Sequence, residues 1–364
     1  MLSKALPERI NSRIESVIAK LRKSECVIGN LETIIHDGEG VPCAFPGGYA
    51  MAKSTSLHDL KKFGFKMFAC ANNHSMDYGE SGLLTTMQNL GNFRIPRAGI
   101  GENLSAASRP AYFDCENGRV SLISITSSFH DSYLAGPQNQ DMKGRPGVNP
   151  LRHNAIYELD ASQFNEIVNI ADKSGINSYH AQAIKEGYLV PNENFKFGSY
   201  NFTIGKTGLV HTTPNEQDLK RLIDSVKEAK YMSDVVVISI HGYQFKTSKE
   251  YSPQFIEMIS KICIDNGADI VFCHGPHILR GIEQYRSGII LYGLGNFILQ
   301  QDQMDILPEE YYWKYNTTRQ SCYGVSETYL KQSVNNSRGL NSQKEVWESI
   351  IASFQWPKTE KNAF

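Results

Sequence analysis

No two cysteines in this 364-residue chain are spaced as C-x-x-C, and its seven cysteines lie scattered, several of them inside apolar segments. That spacing argues against a thiolate zinc site, and an odd, dispersed set argues against a disulfide framework. Reduced thiols and a cytoplasmic location are the expectation. Long hydrophobic runs are also missing: nothing approaches the ~18 apolar residues of a membrane-spanning helix. The opening stretch "MLSKALPERINSRIESVIAKLRK" carries charge throughout and has no apolar core of the signal-peptide kind. Nor does charge of one sign dominate, since 37 Lys and Arg stand against 38 Asp and Glu, a formal net charge of −1. That balance gives the molecule no reason to bind nucleic acid or an acidic membrane. Internal repeats and low-complexity tracts are absent too.

What is present is ordinary globular composition, 41% hydrophobic and 21% charged, on a chain long enough for a large core. Apolar residues at helical spacing predict a helix over Ile10–Leu21, and others over Ser56–Phe63, Asp77–Leu90, Glu216–Lys230 and Ser252–Asn266. Between them "CVIGNLE", "GFKMFACA", "RVSLISITSSF", "DVVVISIHG" and "ADIVFCHG" read as strands, "FRIPRAGIG" as a strand leaving into a glycine-rich turn, and "GIILYGLGNFIL" as a strand and turn. Strands alternating with helices indicate a layered α/β fold. The rhythm dissolves over about 127–215, where a helical stretch Ala161–Gly187 and an alternating ribbon "FKFGSYNFTIG" suggest an excursion or lid. Residues 1–300 are expected to form one domain, with 301–364 an extension packing on it and a helix over Gln343–Phe354.

Four apolar strands run into metal-competent groups. Asn30 and Glu32 follow "CVIG", Asn72, Asn73 and His74 follow "FKMFACA", His241 ends "VVVISI", and His274 ends "ADIVFC" with His277 three residues on. In open α/β sheets, ligand sites form beyond the carboxyl ends of strands, so these residues are placed to converge. Imidazoles, an amide oxygen and a carboxylate without thiolates suit one or two Mn, Zn or Fe(II) ions. Two such ions could bridge a hydroxide and polarise a phosphoryl or carbonyl oxygen. Each piece alone has a plainer reading: "GNLE" as a turn, Asn72 as a helix cap, His241 as a core histidine. "HGPH" is more specific, because its two histidines must share one tight turn. Asn296 in "LGNF" supplies a turn beside the site or a substrate contact. His36 and His58 read as solvated.

"GNLE", "ANNHSMDYGESGL", "AGIGENLSAASRPA", "VVISIHG", "GADIVFCHGPHILRGIEQY" and "IILYGLGNFIL" together resemble the CapA/PgsA family of capsule (poly-γ-glutamate) synthesis proteins, within the calcineurin-like metallophosphoesterase superfamily. The resemblance runs over roughly residues 24–300, with "GRPGVNPLR" part of it, and "WESI" near Trp347 is expected to continue it at the tail. It implies a four-layer α/β/β/α sandwich with metals at the sheet edge. It implies Asn73, His241, His274 and His277 as metal ligands and His74 as the group that stabilises the transition state or protonates the leaving group. Asn30 and Glu32 stand where related phosphoesterases carry a bridging Asp motif, and Asp77 is placed to orient His74. The family opens with a strand ending in Gly-Asp; none precedes "CVIGNLE", so the first strand and its ligand are expected to be missing. "HGYQF" also lacks the Trp common after that histidine.

Three functions follow as expectations. One is a metal-dependent hydrolase acting on a phosphoester or a γ-glutamyl amide through a metal-bound hydroxide. Another is a non-catalytic accessory protein of capsule or polyglutamate synthesis, which the missing strand favours. The third is a small-ligand binding protein without metal. The partner is a small-molecule or polymer substrate, and the sequence leaves the oligomeric state open.

Overall fold

Strands buried on both faces need near-continuous Val, Ile, Leu and Phe, and these runs set the frame of the molecule. A computed structural model describes residues 3–4, 11–44, 48–191, 193–300, 304–321 and 324–356. Val27–Asn30, Phe65–Ala69 and Arg97–Ala98 form a parallel three-stranded sheet with Phe65–Ala69 in the middle. Among the described residues no strand pairs beyond Val27–Asn30. A second sheet has six strands, in the order Ile282–Tyr285, Gly288–Leu291, Ile270–His274, Val235–His241, Gly118–Thr126 and Ala111–Cys115. Its four inner strands are parallel, and each outermost strand runs antiparallel to its neighbour.

Period-two alternation decides what each face buries. Met67, Ala69 and Ala98 of the first sheet meet Leu122, Val237, Ile270, Phe272 and Leu291 of the second, forming a core between the sheets. The alternate residues Ile123, Ile238, Ile240 and Val271 face outward, onto helices Glu216–Met232 and Gln254–Asp265. Helices Ser12–Arg22, Ser56–Phe63 and Gly79–Asn92 cover the first sheet through Leu21, Leu57, Leu60, Leu83 and Leu90. The result is the expected α/β/β/α order. Hydrogen bonds tie the sheets together: Ala71 N donates to Ser124 Oγ at 3.1 Å and Asn149 N to Gly99 O at 2.8 Å. Asn149 Nδ2 donates to Ser124 O at 3.0 Å, which uses the "GVNP" turn as a clasp.

The excursion folds as its own small α/β layer. Its sheet runs Phe195–Phe197, Tyr200–Ile204, His153–Leu159 and Val210–Pro214, with helices Ala161–Ser174 and Ser178–Lys185 separated at Gly175. The C-terminal helices Glu309–Lys314 and Gly324–Gln332 press Tyr311, Tyr312, Val325 and Tyr329 onto Ile34, Tyr49, Met51 and Tyr78.

The structure corrects two expectations here. Gln343–Phe354 is not a helix: after a 3-10 turn over Lys344–Trp347, Ile350 N donates to Leu294 O at 3.0 Å. Pairing with a distant segment overrides the local periodicity. His36 is buried, not solvated, with its ring 4.4 Å from that of Tyr78. Ile10, at the start of the first predicted helix, lies outside the described residues. No helix among the described residues is long and apolar enough to cross a membrane.

Candidate functional site

The face that buries apolar side chains between the sheets turns polar at the strand ends. Ile28 is followed two residues on by Asn30, Val237 by Ser239 and His241, and Phe272 by His274. His241 and His274 are register partners on parallel neighbours, so their rings leave the sheet side by side. Glu32, Asn73 and His74 come from the loops directly after the strands of the facing sheet. The predicted groups therefore meet at one edge of the sandwich.

Asn30 Nδ2 donates to Glu32 Oε2 at 3.0 Å, and Asn72 Nδ2 donates to Asn30 Oδ1 at 3.2 Å and Leu31 O at 2.9 Å. Asn72 Oδ1 accepts from His74 N at 3.1 Å. Asn72 is fully buried with its amide engaged on both sides, so it braces the two loops and does not face a substrate. His74 Nδ1 donates to Asp77 Oδ2 at 2.7 Å, both side chains buried, and Asp77 Oδ2 also accepts from Ala50 N at 2.8 Å. The predicted orienting role of Asp77 thus has its hydrogen bond.

His277 Nε2 lies 3.6 Å from Glu32 Oε1, while its Nδ1 is 2.7 Å from Asn296 Oδ1. Asn296 supports this histidine, so the structure gives it a different role from the expected substrate contact. His241 Nδ1 and His274 Nδ1 are 2.7 Å apart, and His274 Nε2 lies 2.7 Å from Ser239 Oγ. Both ring nitrogens of His274 are engaged within the chain, so it stands behind His241 instead of offering a free ligand atom. Sequence reasoning missed Ser239, although its place two residues before His241 on one strand face was a usable signal.

Charge and burial act together here. Burial pushes the Glu32 carboxyl up, but His277, His241 and His74 outweigh it and hold Glu32 at about 2. Burial pulls His241 down to about 4, against the pull of Glu32. Burial, with His241 beside it, also keeps His274 well below the ordinary histidine value. His74 goes the other way: burial lowers it, yet Asp77 and then Glu32 raise it above the ordinary value.

Buried polar atoms are almost always paired, so unpaired ones need a reason. Glu32 Oε1, Asn73 Oδ1 and His241 Nε2 are buried and without a hydrogen-bond partner. All three were predicted ligands, and as oxygen and imidazole donors they match the Mn, Zn and Fe(II) class. A tetrahedral ion with bonds of about 2.1 Å separates its ligand atoms by roughly 3.4 Å, close to the 3.6 Å between Glu32 Oε1 and His277 Nε2. Donor chemistry and spacing fit a divalent ion. The rings as they stand are nonetheless paired with one another, and among the described residues no three His, Cys, Asp or Glu side chains already surround one point.

The model of the family described as "Bacterial capsule synthesis protein PGA_cap" matches residues 2–301. The uncharacterized protein y4uA of Sinorhizobium fredii is 30% identical over 301 residues, 82% of this chain and 64% of that one. The capsule biosynthesis protein CapA of Bacillus anthracis is 25% identical over 283 residues, covering 77% of this chain and 52% of its own length. The PGA biosynthesis protein CapA of Bacillus subtilis is 24% identical over 280 residues, covering 77% and 54%. The chain spans between half and two thirds of the length of these relatives. With its α/β/β/α sandwich and most of its length matched, the chain belongs to the bacterial capsule synthesis protein family PGA_cap.

Proposed function

We propose that this chain is a metal-dependent hydrolase of the capsule synthesis family, acting on a phosphoester or a γ-glutamyl amide. One observation supports the reading above the others: three buried ligand-competent atoms, Glu32 Oε1, Asn73 Oδ1 and His241 Nε2, lack hydrogen-bond partners where four strand ends meet. With His277 Nε2 they would hold one or two divalent ions of the Mn, Zn or Fe(II) class. The ion, when bound, supplies a Lewis acid and a site for activating water. Glu32 contributes the negative charge, and His241 stays neutral because burial resists its protonation. His74, fixed by Asp77 and raised in pKa, keeps a proton to give to a leaving group.

A second reading, an accessory protein that binds capsule polymer without cleaving it, is favoured by the 2.7 Å contact that ties His241 to His274. Hydrolysis assays on an aryl phosphodiester and a γ-glutamyl anilide, with Mn, Zn or Fe(II) added, separate the two. The hydrolase predicts metal-dependent turnover that falls about 10²–10⁴-fold in His74→Asn. Polymer binding without turnover under any metal supports the accessory reading.

A further inference from the structure

The family match ends at residue 301, yet a segment some 50 residues further on reaches the site. Asn296 Nδ2 donates to Val346 O at 2.9 Å and to His277 O at 3.5 Å, while its Oδ1 faces His277 Nδ1. Val346 O can only accept, so the amide must turn its nitrogen to Val346 and its oxygen to His277. That oxygen likewise only accepts. His277 Nδ1 therefore carries the hydrogen, and in the neutral ring Nε2 keeps its lone pair. This is the nitrogen that faces the unpaired Glu32 Oε1.

The backbone around this contact is closely built. His277 has φ 61, a left-handed conformation that costs a non-glycine residue on the order of 1 kcal/mol and persists only where neighbours impose it. Asn296 grips both its ring and its carbonyl. Val346 is buried, Gly295 pairs with Ser349, and Ile350 N donates to Leu294 O. Gly295 has φ +74, and a Cβ there would stand 2.2 Å from Glu348 O. Only glycine admits so close an approach of the C-terminal chain.

We propose that the segment Val346–Ile350 is a working part of the site: it clamps the Leu294–Asn296 turn, and Asn296 sets His277 in the tautomer whose Nε2 lone pair faces Glu32. Asn296 is a positioning residue. Its consequence for metal affinity rests on the metal-dependent reading above, whereas the tautomer itself does not. Metal-binding histidines commonly donate their second ring N–H to an oxygen acceptor, and loss of that acceptor costs 10–100-fold in affinity.

The test is long-range ¹H–¹⁵N correlation on metal-free, full-length protein with ¹⁵N-labelled histidine, at a pH where the ring is neutral. The expected result is Nδ1–H for His277 in wild type, retained in Asn296→Asp, which keeps an acceptor. Asn296→Ala moves the population toward Nε2–H, the form a solvent-exposed neutral histidine side chain favours in water. Gly295→Ala, which leaves Asn296 in place but denies the C-terminal chain its seat, moves it the same way. Nε2–H in wild type, or a wild-type tautomer in Gly295→Ala, overturns the proposal. The wild-type spectrum and Gly295→Ala decide it even where Asn296→Ala does not fold. Zinc titration adds the functional arm, with affinity about 10–100-fold weaker in Asn296→Ala. A wild type that takes up no metal contradicts the hydrolase reading while leaving the tautomer assignment intact.

Discussion

His74 and Asp77 show how one residue's surroundings set its chemistry. Burial alone would leave His74 neutral, and the carboxylate 2.7 Å away reverses that. Asp77→Asn is predicted to bring the His74 pKa back to or below about 6.5, read by NMR titration. It also destabilises the fold by about 3–5 kcal/mol in urea unfolding, because a buried charge pair is broken. His241 predicts the acid response. Its folded value of about 4 lies below the unfolded value near 6.5, so the folded state binds fewer protons between them. The His241 contribution to stability is full above pH 6.5 and is lost as pH falls toward 4, by about 3 kcal/mol at most. His74, raised in the folded state, acts oppositely and loses its contribution as pH rises above 6.5. Thermal melts of metal-free protein should show the acid-side fall, and His241→Gln should flatten it. The positions of Asn30, Glu32, Asn73 and His241 were legible because each stands at or just after the end of an apolar run, and that of His277 because it shares the "HGPH" turn with His274. The burial of Asn72 and the pairing of His274 with His241 and Ser239 were not, because side-chain direction across two strands decides them.

At the scale of elements, local chemistry was a good guide where it was self-contained. The helix Ser56–Phe63 ends where expected because Gly64 takes a left-handed conformation at its C-terminus. The inner strands of the two facing sheets followed from their β-branched and aromatic runs, whereas the outer strands Ala111–Cys115 and Ile282–Tyr285 were not read from the sequence. The tail misled because Val346, Ile350 and Phe354 mimic a helical stripe, while the chain there pairs with Leu294 and Gly295. "FRIPRAGIG" read as a strand leaving into a glycine-rich turn; the strand Arg97–Ala98 does break at Gly99, but the chain resumes as a second short strand, Ile100–Gly101. Gly99 has φ +95, and a Cβ would lie 2.6 Å from Ala71 Cβ and 2.8 Å from Ser124 Cβ. Gly99→Ala should cost roughly 1–3 kcal/mol of stability by forcing these sheets apart, read as a lowered urea midpoint. A wild-type midpoint would contradict the clasp between the two sheets.

At the scale of the whole molecule, the two sheets bring four strand ends to one edge, and the helices on either side bury what remains apolar. The layer order was legible from alternating strands and helices together with the family resemblance. The reach of the C-terminal segment into the site was not, since nothing local in "KEVWESI" marks Val346 as a partner of Asn296. The central claim is that unpaired donors on Glu32, Asn73 and His241 mark a divalent metal centre. Elemental analysis after reconstituting chelator-treated protein with Mn, Zn or Fe(II) tests it most directly, with Glu32→Gln alongside. One or two tightly held ions per wild-type chain, lost or strongly weakened in Glu32→Gln, is the predicted result. No stoichiometric metal in wild type, or equal loading in Glu32→Gln, would contradict it.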